Sequence, residues 1–201
     1  MDDSTSYKQT KQGVIPRSQL LPLEAEGIAR GLEFVRSGKA YSIISQSILD
    51  LHQVAFGPIF DWAGKWRTVD VSFGNLAGPS TFELPVLIED FCRDLAERLK
   101  HIPPQTDTDA FFKELVDLLA WAQHRFVVIH PFNDYNGRIA RMLTNAILQS
   151  LGLPFVELLA ESEADRKAYI QALRDADNHD FTALQNLLYD ALKEALQKHL
   201  I

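Results

Sequence analysis

Apolar side chains recur at helical spacing over most of the chain. Residues that repeat every three or four positions share one face of an α-helix, so such runs predict amphipathic helices packed around a common core. The clearest runs are Ile44, Ile48, Leu51 and Ala55; Phe111, Leu115, Leu118, Leu119, Ala122 and Phe126; Ile139, Met142, Leu143, Ala146 and Ile147; and Leu184, Leu187, Leu188, Ala191 and Leu192. We therefore predict an all-α fold, a bundle of six to eight helices.

Proline and glycine mark where some of these helices begin and end. Pro85 suits the first turn of a helix that carries Ile88 and Phe91, because proline has a helical φ and that turn needs no N–H donor. Residues 152–154, Gly-Leu-Pro, are typical of a helix end and close the helix that begins near Gly137.

Two regions depart from the helical pattern. Residues 66–82, WRTVDVSFGNLAGPSTF, alternate weakly and contain Gly-Asn and Gly-Pro, which predicts a short β-hairpin. It is either an inert insertion or a flap over a site. The first residues are polar and lack a period, so we expect residues 1–16 to be a flexible tail and residues 17–201 to be a single domain.

Composition narrows the class of function. The formal net charge of −7 and the pI near 5.3 disfavour a broad contact with nucleic acid or an anionic membrane, so an anion site would have to be small. The single cysteine, Cys92, precludes an intramolecular disulfide and is expected to be buried. No run reaches the ~20 apolar residues that span a bilayer, and the polar N-terminus lacks a secretory signal. We expect a cytoplasmic protein.

The candidate chemistry lies in one segment, residues 130–141, HPFNDYNGRIAR. The proline after His130 ends the preceding helix there, which leaves the imidazole at a helix end. The Asn-Asp-x-Asn-Gly cluster is typical of a turn whose Asn and Gly tolerate positive φ and present N–H groups to an anion. A helix then begins at once, with Arg138 and Arg141 one turn apart beside its positive end. Asp134 is an oxygen ligand suited to Mg²⁺ between phosphates.

Each of these features also has an ordinary structural explanation. A histidine at a helix end is usually a cap, an Asn- and Gly-rich loop is usually a turn, and two arginines at i and i+3 usually form a solvated face. Their occurrence within twelve residues favours a polyphosphate site. A zinc site from His130 and Asp134 is disfavoured, because Pro131 interrupts the helix that i, i+4 ligands require.

The same segment resembles the signature of the Fic family, His-Pro-Phe-x-Asp/Glu-Gly-Asn-Gly-Arg-x-x-Arg, with one departure. The flanks LHQVAFGPIFDWAGKWR, FELP and RKAYIQALRDADNHD are also similar, so the resemblance extends from about residue 44 to residue 192. It is greatest to small stand-alone Fic proteins, including those called mobile mystery protein B. The resemblance implies a Fic-type helical bundle with a β-hairpin flap, and a nucleotidyltransferase that moves AMP from ATP to a Ser, Thr or Tyr hydroxyl of a target protein.

The resemblance also implies a role for each site residue. His130 would be the general base, and Asp134 would hold Mg²⁺. Nucleotide and phosphate binding would fall to Asn133, Tyr135, Asn136, Gly137, Arg138 and Arg141. The arginines would neutralise the β- and γ-phosphates, with Arg141 nearer the γ-phosphate. Phe132 would anchor the loop, and the hairpin of residues 66–82 would dock the target as an added strand.

Tyr135 stands where the family has glycine, and its Cβ makes positive φ costly by ~1–2 kcal/mol. Either the loop is strained there or its backbone runs differently, and the phenol could fill the site or stack on the nucleotide. Two alternatives therefore stay open: a phosphotransferase like the Doc branch of the family, and a nucleotide-binding regulatory module without transfer. No Ser or Thr is followed four residues later by Glu, the pattern of the family's inhibitory helix. Any inhibitor is thus expected to be a separate antitoxin-like protein.

Overall fold

The structure is a computed structural model that describes residues 7–39, 42–73, 76–157 and 162–199. These residues contain seven α-helices and two short antiparallel hairpins. The helices are α1 (Arg17–Arg36), α2 (Ser45–Phe56), α3 (Leu84–Lys100), α4 (Thr108–Ile129), α5 (Asn136–Ser150), α6 (Glu163–Asp177) and α7 (Thr182–His199). The predicted all-α fold with six to eight helices is confirmed.

The core is built around α4 and α5. Along α4 the side chains of Leu115, Leu119 and Phe126 are buried, and α5 buries Ile139 and Ile147, as the helical spacing predicted. The expected ends are also present. Pro85 lies in the first turn of α3, and α5 ends just before Gly152, whose φ is 72°.

Helix α1 packs closely against α2 and α5 because its inner face carries glycines. A Cβ on Gly27 would lie 2.6 Å from the Ala55 carbonyl oxygen, and one on Gly31 would lie 2.6 Å from Met142 Sδ. The buried face of α1 is Leu20, Glu24, Gly27, Gly31 and Val35. The close approach brings the carboxylate of Glu24 to the start of α5.

Residues 7–16 form a hairpin, although the sequence predicted a flexible tail over residues 1–16. Strands β1 (Tyr7–Thr10) and β2 (Gly13–Pro16) pair antiparallel, with Lys8 opposite Ile15. Ile15 is buried in the core, and the Lys11 N–H donates to the Ile59 carbonyl at 2.9 Å. This apolar contact and hydrogen bond to the body explain why the segment is structured. The part of the predicted tail before residue 7 lies outside the described residues.

The predicted hairpin within residues 66–82 is present. Strands β3 (Ser72–Phe73) and β4 (Leu76–Ala77) pair antiparallel, with Ser72 opposite Ala77. The Gly-Asn turn at 74–75 lies outside the described residues. Below the strands, Gly78 N–H donates to the Val71 carbonyl at 2.8 Å. We call residues 66–82 the ribbon.

Two further expectations concern burial and membranes. Cys92 is buried, and burial raises the pKa of its thiol to about 12, so it is protonated at neutral pH. Within the described ranges, none of the helices combines the length and hydropathy needed to cross a bilayer.

Candidate functional site

The site lies in the loop between α4 and α5. Helix α4 ends at Ile129, and His130 adopts a left-handed conformation with φ 49° and ψ 58°, consistent with the restriction that Pro131 places on it. Phe132 is fully buried and stacks on the ring of His52 at 3.8 Å between centroids. The anchoring role that the sequence implied for Phe132 is confirmed by this burial.

His130 presents one ring nitrogen as a proton acceptor. Its Nδ1 lies 3.2 Å from the Val127 carbonyl oxygen, and because a carbonyl only accepts, Nδ1 carries the proton of the neutral ring and Nε2 has the lone pair. Burial, followed by the charge of Arg67, lowers the pKa of His130. The neutral, basic form is therefore favoured at physiological pH.

Arg67 connects the ribbon to the loop. Its side chain is fully buried, and it donates from Nε to the His130 carbonyl at 2.7 Å and from Nη2 to the Pro79 carbonyl at 2.6 Å. The Arg67 N–H also donates to the Pro131 carbonyl at 2.8 Å. One guanidinium thus fixes the base of the ribbon beside His130. Sequence analysis missed this residue, because Arg67 resembles any surface arginine when its long-range partners are unknown.

His52 supports the loop from the opposite side. Its Nδ1 accepts a hydrogen bond from the Gly64 N–H at 3.0 Å, so the ring proton is on Nε2, which donates to the Asp134 carbonyl at 3.3 Å. Burial lowers the pKa of His52 to about 4. A neutral histidine with one fixed tautomer therefore holds the loop backbone at Asp134.

Asp134 presents a half-exposed carboxylate at the mouth of the loop. Its Oδ1 accepts from the Tyr135 N–H at 2.6 Å, and its Oδ2 is paired with the ammonium of Lys8 from the N-terminal hairpin. No cluster of three or more His, Cys, Asp or Glu side chains that could hold a metal occurs in the described part of the chain. The Asp134 carboxylate is an oxygen ligand of the kind that Mg²⁺ takes, since Mg²⁺ usually binds one or two carboxylates and completes its shell with phosphate and water.

Tyr135 adopts the backbone conformation that glycine would favour, with φ 65° and ψ 13°. Its side chain is 6% exposed, and its ring stacks on Phe56 at 4.1 Å. The ring is therefore packed in the protein core, and its contact with a nucleotide stays a prediction. The loop is strained at Tyr135, and the contacts of the ring offset the strain.

Of the two asparagines in the loop, Asn136 has a structural role and Asn133 is exposed. Asn136 is buried, and its side chain accepts from the Phe132 N–H and donates to the Phe132 carbonyl, both at 2.9 Å. This pair of hydrogen bonds closes the loop. Positive φ occurs at His130 and Tyr135, not at the asparagines and Gly137 as the sequence suggested. Asn133 is exposed at the tip.

The N-terminus of α5 provides the anion-binding features. The Ile139 N–H donates to the Tyr135 carbonyl, and the N–H groups of Asn136, Gly137 and Arg138 precede that bond at the positive end of the helix. Gly137 has an ordinary helical backbone. Among the described residues, a Cβ there would meet one atom within 4 Å, Arg141 Nη1 at 3.7 Å, so a side chain at this position would not be crowded.

Two arginines lie on the first two turns of α5. Arg138 Nη2 donates to Glu24 Oε2 at 2.8 Å, whereas Arg138 Nη1 is buried and has no hydrogen-bond partner among the described residues. Arg141 lies over the ring of Tyr169 at 5.2 Å, and burial, together with Arg138 and Arg166, lowers its pKa. An unsatisfied guanidinium nitrogen and clustered positive charge are features that a bound anion would complete.

Sequence analysis also missed Glu24 and Lys8. Glu24 could have been found, because it is the one carboxylate in the stripe Leu20, Glu24, Gly27, Gly31 and Val35 that α1 buries, and a buried acid needs a cationic partner. Lys8 had no such signal, since it lies in a polar segment without a period.

Comparisons with known proteins agree with this geometry. The family model described as "Fic/DOC family" matches residues 42–148. A Fido domain-containing protein of Dictyostelium discoideum is 37% identical over 116 residues, which are 58% of this chain and 73% of that protein. A protein adenylyltransferase Fic of Nematostella vectensis is 29% identical over 176 residues, 86% of this chain but only 38% of that protein.

Solved structures show the same fold. A Fic domain-containing signalling protein of Bacteroides thetaiotaomicron has a TM-score of 0.70 at 23% identity, over 87% of this chain and 70% of that one. The Fic domain of a Bartonella quintana effector with bound ADP also has a TM-score of 0.70, at 16% identity, over 95% and 92% of the two chains. Because the family model covers more than half of the chain and the fold agrees, the chain belongs to the Fic/DOC family.

Proposed function

We propose that the chain is a protein adenylyltransferase that moves AMP from ATP to a Ser, Thr or Tyr hydroxyl of a target protein. The observation that carries this proposal is the grouping at the α5 N-terminus of the uncrowded Gly137, the guanidinium of Arg141 and the buried Nη1 of Arg138, which has no hydrogen-bond partner among the described residues. The adenylyltransferase of N. vectensis and the ADP-bound Bartonella structure support a nucleotide as the ligand.

The described residues suggest how the transfer would proceed. His130 Nε2 would accept the proton of the target hydroxyl while that oxygen attacks the α-phosphorus. The bond from the α-phosphorus to the oxygen shared with the β-phosphate breaks, and pyrophosphate leaves. Arg138 and Arg141 would neutralise the β- and γ-phosphates, and the N–H groups of Asn136 and Gly137 would bind phosphate oxygens, so catalysis would consist mainly of positioning and electrostatics.

Asp134 is the residue that would hold Mg²⁺. When bound, the ion would bridge phosphate oxygens and offset their charge.

The ribbon is proposed to dock the target. Arg67 holds its base beside His130, and a short two-stranded edge can bind an extended segment by adding a strand. Any inhibitor is proposed to be a separate antitoxin-like protein.

An experiment with labelled ATP distinguishes the proposed adenylyltransferase from a second candidate function. The ion pair Lys8–Asp134 engages the proposed metal ligand within the protein, which favours a nucleotide-binding module without transfer. Purified protein would be incubated with α-labelled ATP, Mg²⁺ and a lysate, and adducts would be weighed by mass spectrometry.

An AMP-sized adduct that is lost in His130→Ala supports the proposal, since a general base contributes typically 10²–10⁴-fold. A phosphate-sized adduct would instead show Doc-like phosphotransfer. ATP binding with no adduct would show the second candidate.

A further inference from the structure

Glu24 joins three donors at the start of α5. Its side chain is 2% exposed, and Arg17 Nη1 donates to its Oε1 at 3.0 Å and to its Oε2 at 3.2 Å. Tyr135 Oη donates to Oε1 at 2.6 Å, and Arg138 Nη2 donates to Oε2 at 2.8 Å. One carboxylate thus connects α1 to the strained residue of the loop and to an arginine of the site.

The charges of this cluster do not cancel. One carboxylate faces two guanidinium groups, so the cluster keeps an excess positive charge within it. Arg17 contributes to holding the carboxylate ionised in its buried position, since a buried acid needs cationic partners. The cluster is therefore suited to receive a further anion.

One nitrogen of Arg138 is buried without a hydrogen-bond partner among the described residues. The guanidinium is a planar fork, so fixing Nη2 on Glu24 also fixes the direction of Nη1. Nη1 is the atom that is buried without a hydrogen-bond partner among the described residues. The ring of Tyr135 lies 4.9 Å from the Arg138 guanidinium carbon and borders the same group. Glu24 therefore orients Arg138 by one nitrogen and leaves the other for a ligand.

We propose that Glu24 and Tyr135 are positioning residues, which together fix the Arg138 guanidinium to receive a phosphate oxygen of the bound nucleotide. The inference rests on the proposed function. It also gives a reason for tyrosine at a position with φ 65°, where glycine would relax the backbone but would provide neither the hydroxyl nor the ring. The Tyr135 hydroxyl donates to Glu24 Oε1 at 2.6 Å, a hydrogen bond that glycine could not make.

The test compares ATP with AMP in the purified full chain. Tyr135→Phe removes one oxygen and keeps the ring, and Glu24→Gln keeps the shape but removes the charge. The controls are Tyr189→Phe, which alters an exposed tyrosine on α7, and Glu26→Gln, which alters an exposed acid two residues along α1. Dissociation constants for ATP and AMP would be measured by calorimetry with Mg²⁺, and melting temperatures would be recorded for every variant.

Tyr135→Phe and Glu24→Gln should each weaken ATP binding by about three- to tenfold and AMP binding by less than about twofold. The difference is expected because Arg138 is assigned to the terminal phosphates that AMP lacks. The controls should change neither constant. In an Arg138→Ala background, the loss from Tyr135→Phe should disappear, since the residue acts through that arginine. A merely structural role would lower the melting temperature without changing the ratio of the two constants.

Three results would overturn the inference. Equal changes in the ATP and AMP constants would show a structural role. Tighter ATP binding by Glu24→Gln would show that the carboxylate competes with phosphate. If Tyr135→Phe still weakens ATP binding in the Arg138→Ala background, then Tyr135 acts on ATP by a route other than Arg138. If Glu24→Gln does not fold, the ATP and AMP constants of Tyr135→Phe, which loses a single oxygen atom, still test the inference. Failure of the wild-type chain to bind ATP would refute the proposed function itself, whereas normal binding in both variants would refute only the inference.

Discussion

Replacing Gly137 by alanine should raise stability and weaken ATP binding in the same protein. Gly137 is the second residue of α5 and has a helical backbone, so alanine fits its conformation and reduces the entropy of the unfolded chain. Glycine in a helix costs about 0.5–1 kcal/mol relative to alanine. A new Cβ would lie 3.7 Å from Arg141 Nη1, an ordinary contact. We therefore expect a gain of up to about 1 kcal/mol, or ~2–4 °C in melting temperature for a domain of this size.

The same methyl group should hinder the ligand. It would stand where a phosphate oxygen must approach the N–H groups at the start of α5, and the loss of one hydrogen bond to a charged group costs about 1.5–3 kcal/mol. ATP affinity should thus fall ~10- to 100-fold, as measured by calorimetry, while melting of the nucleotide-free protein is followed by circular dichroism. Gly27→Ala is the matched control: its Cβ would lie 2.6 Å from a backbone carbonyl, so stability should fall. Unchanged ATP affinity in Gly137→Ala would refute the close approach of phosphate to this turn.

Three other changes test the surroundings of the site. Lys8→Ala should strengthen Mn²⁺ binding up to about fivefold in paramagnetic-resonance titrations, because the half-exposed pair with Asp134 is worth only about 0.2–1 kcal/mol. Lys11→Ala on the same hairpin should have no effect, and an equal gain there would contradict the assignment. Tyr135→Gly should lower the free energy of unfolding by about 1–4 kcal/mol in denaturant titrations. The reason is that ~3–5 kcal/mol of aromatic packing is lost while ~1–2 kcal/mol of backbone strain is relieved. A gain in stability would contradict the burial of the ring. The depressed pKa of His52 predicts that stability falls as pH drops from 6.5 towards 4, because only the unfolded chain takes up that proton. His52→Asn should reduce the loss of unfolding free energy between pH 6.5 and pH 4 by about 3 kcal/mol, and an unchanged pH slope would show that His52 is not the cause.

Most of the helices could be predicted from the sequence because their signal is local. The apolar spacing that predicted a helix through Leu115, Leu119 and Phe126 corresponds to the buried face of α4, and Pro85 does begin α3. The end of α4 at His130 follows from the proline after it. These features depend on neighbours within one or two turns, which the sequence displays directly.

The N-terminal hairpin and the orientation of Tyr135 could not be predicted in this way. Lys8 contacts Asp134, which lies 126 positions further on, and the partner of the Tyr135 hydroxyl is 111 positions away. A polar segment such as residues 7–16 has no period that would indicate its partner. The conformation of Tyr135 was uncertain because φ is a local property, whereas the contacts that offset its strain are tertiary.

The departure from the family pattern and the buried acid of α1 are best understood as one feature. Glycine at position 135 would leave the Glu24 carboxylate without its neutral donor and the Arg138 guanidinium without the ring beside it. Conversely, Tyr135 without Glu24 would have a buried hydroxyl to satisfy in the core. Since Gly27 and Gly31 on the same helix allow the close approach that places Glu24 there, the inner face of α1 and the strained loop residue form a single structural unit. The effect of replacing Tyr135 should therefore be measured together with the effect of replacing Glu24, because either substitution removes the hydrogen-bond partner of the remaining residue.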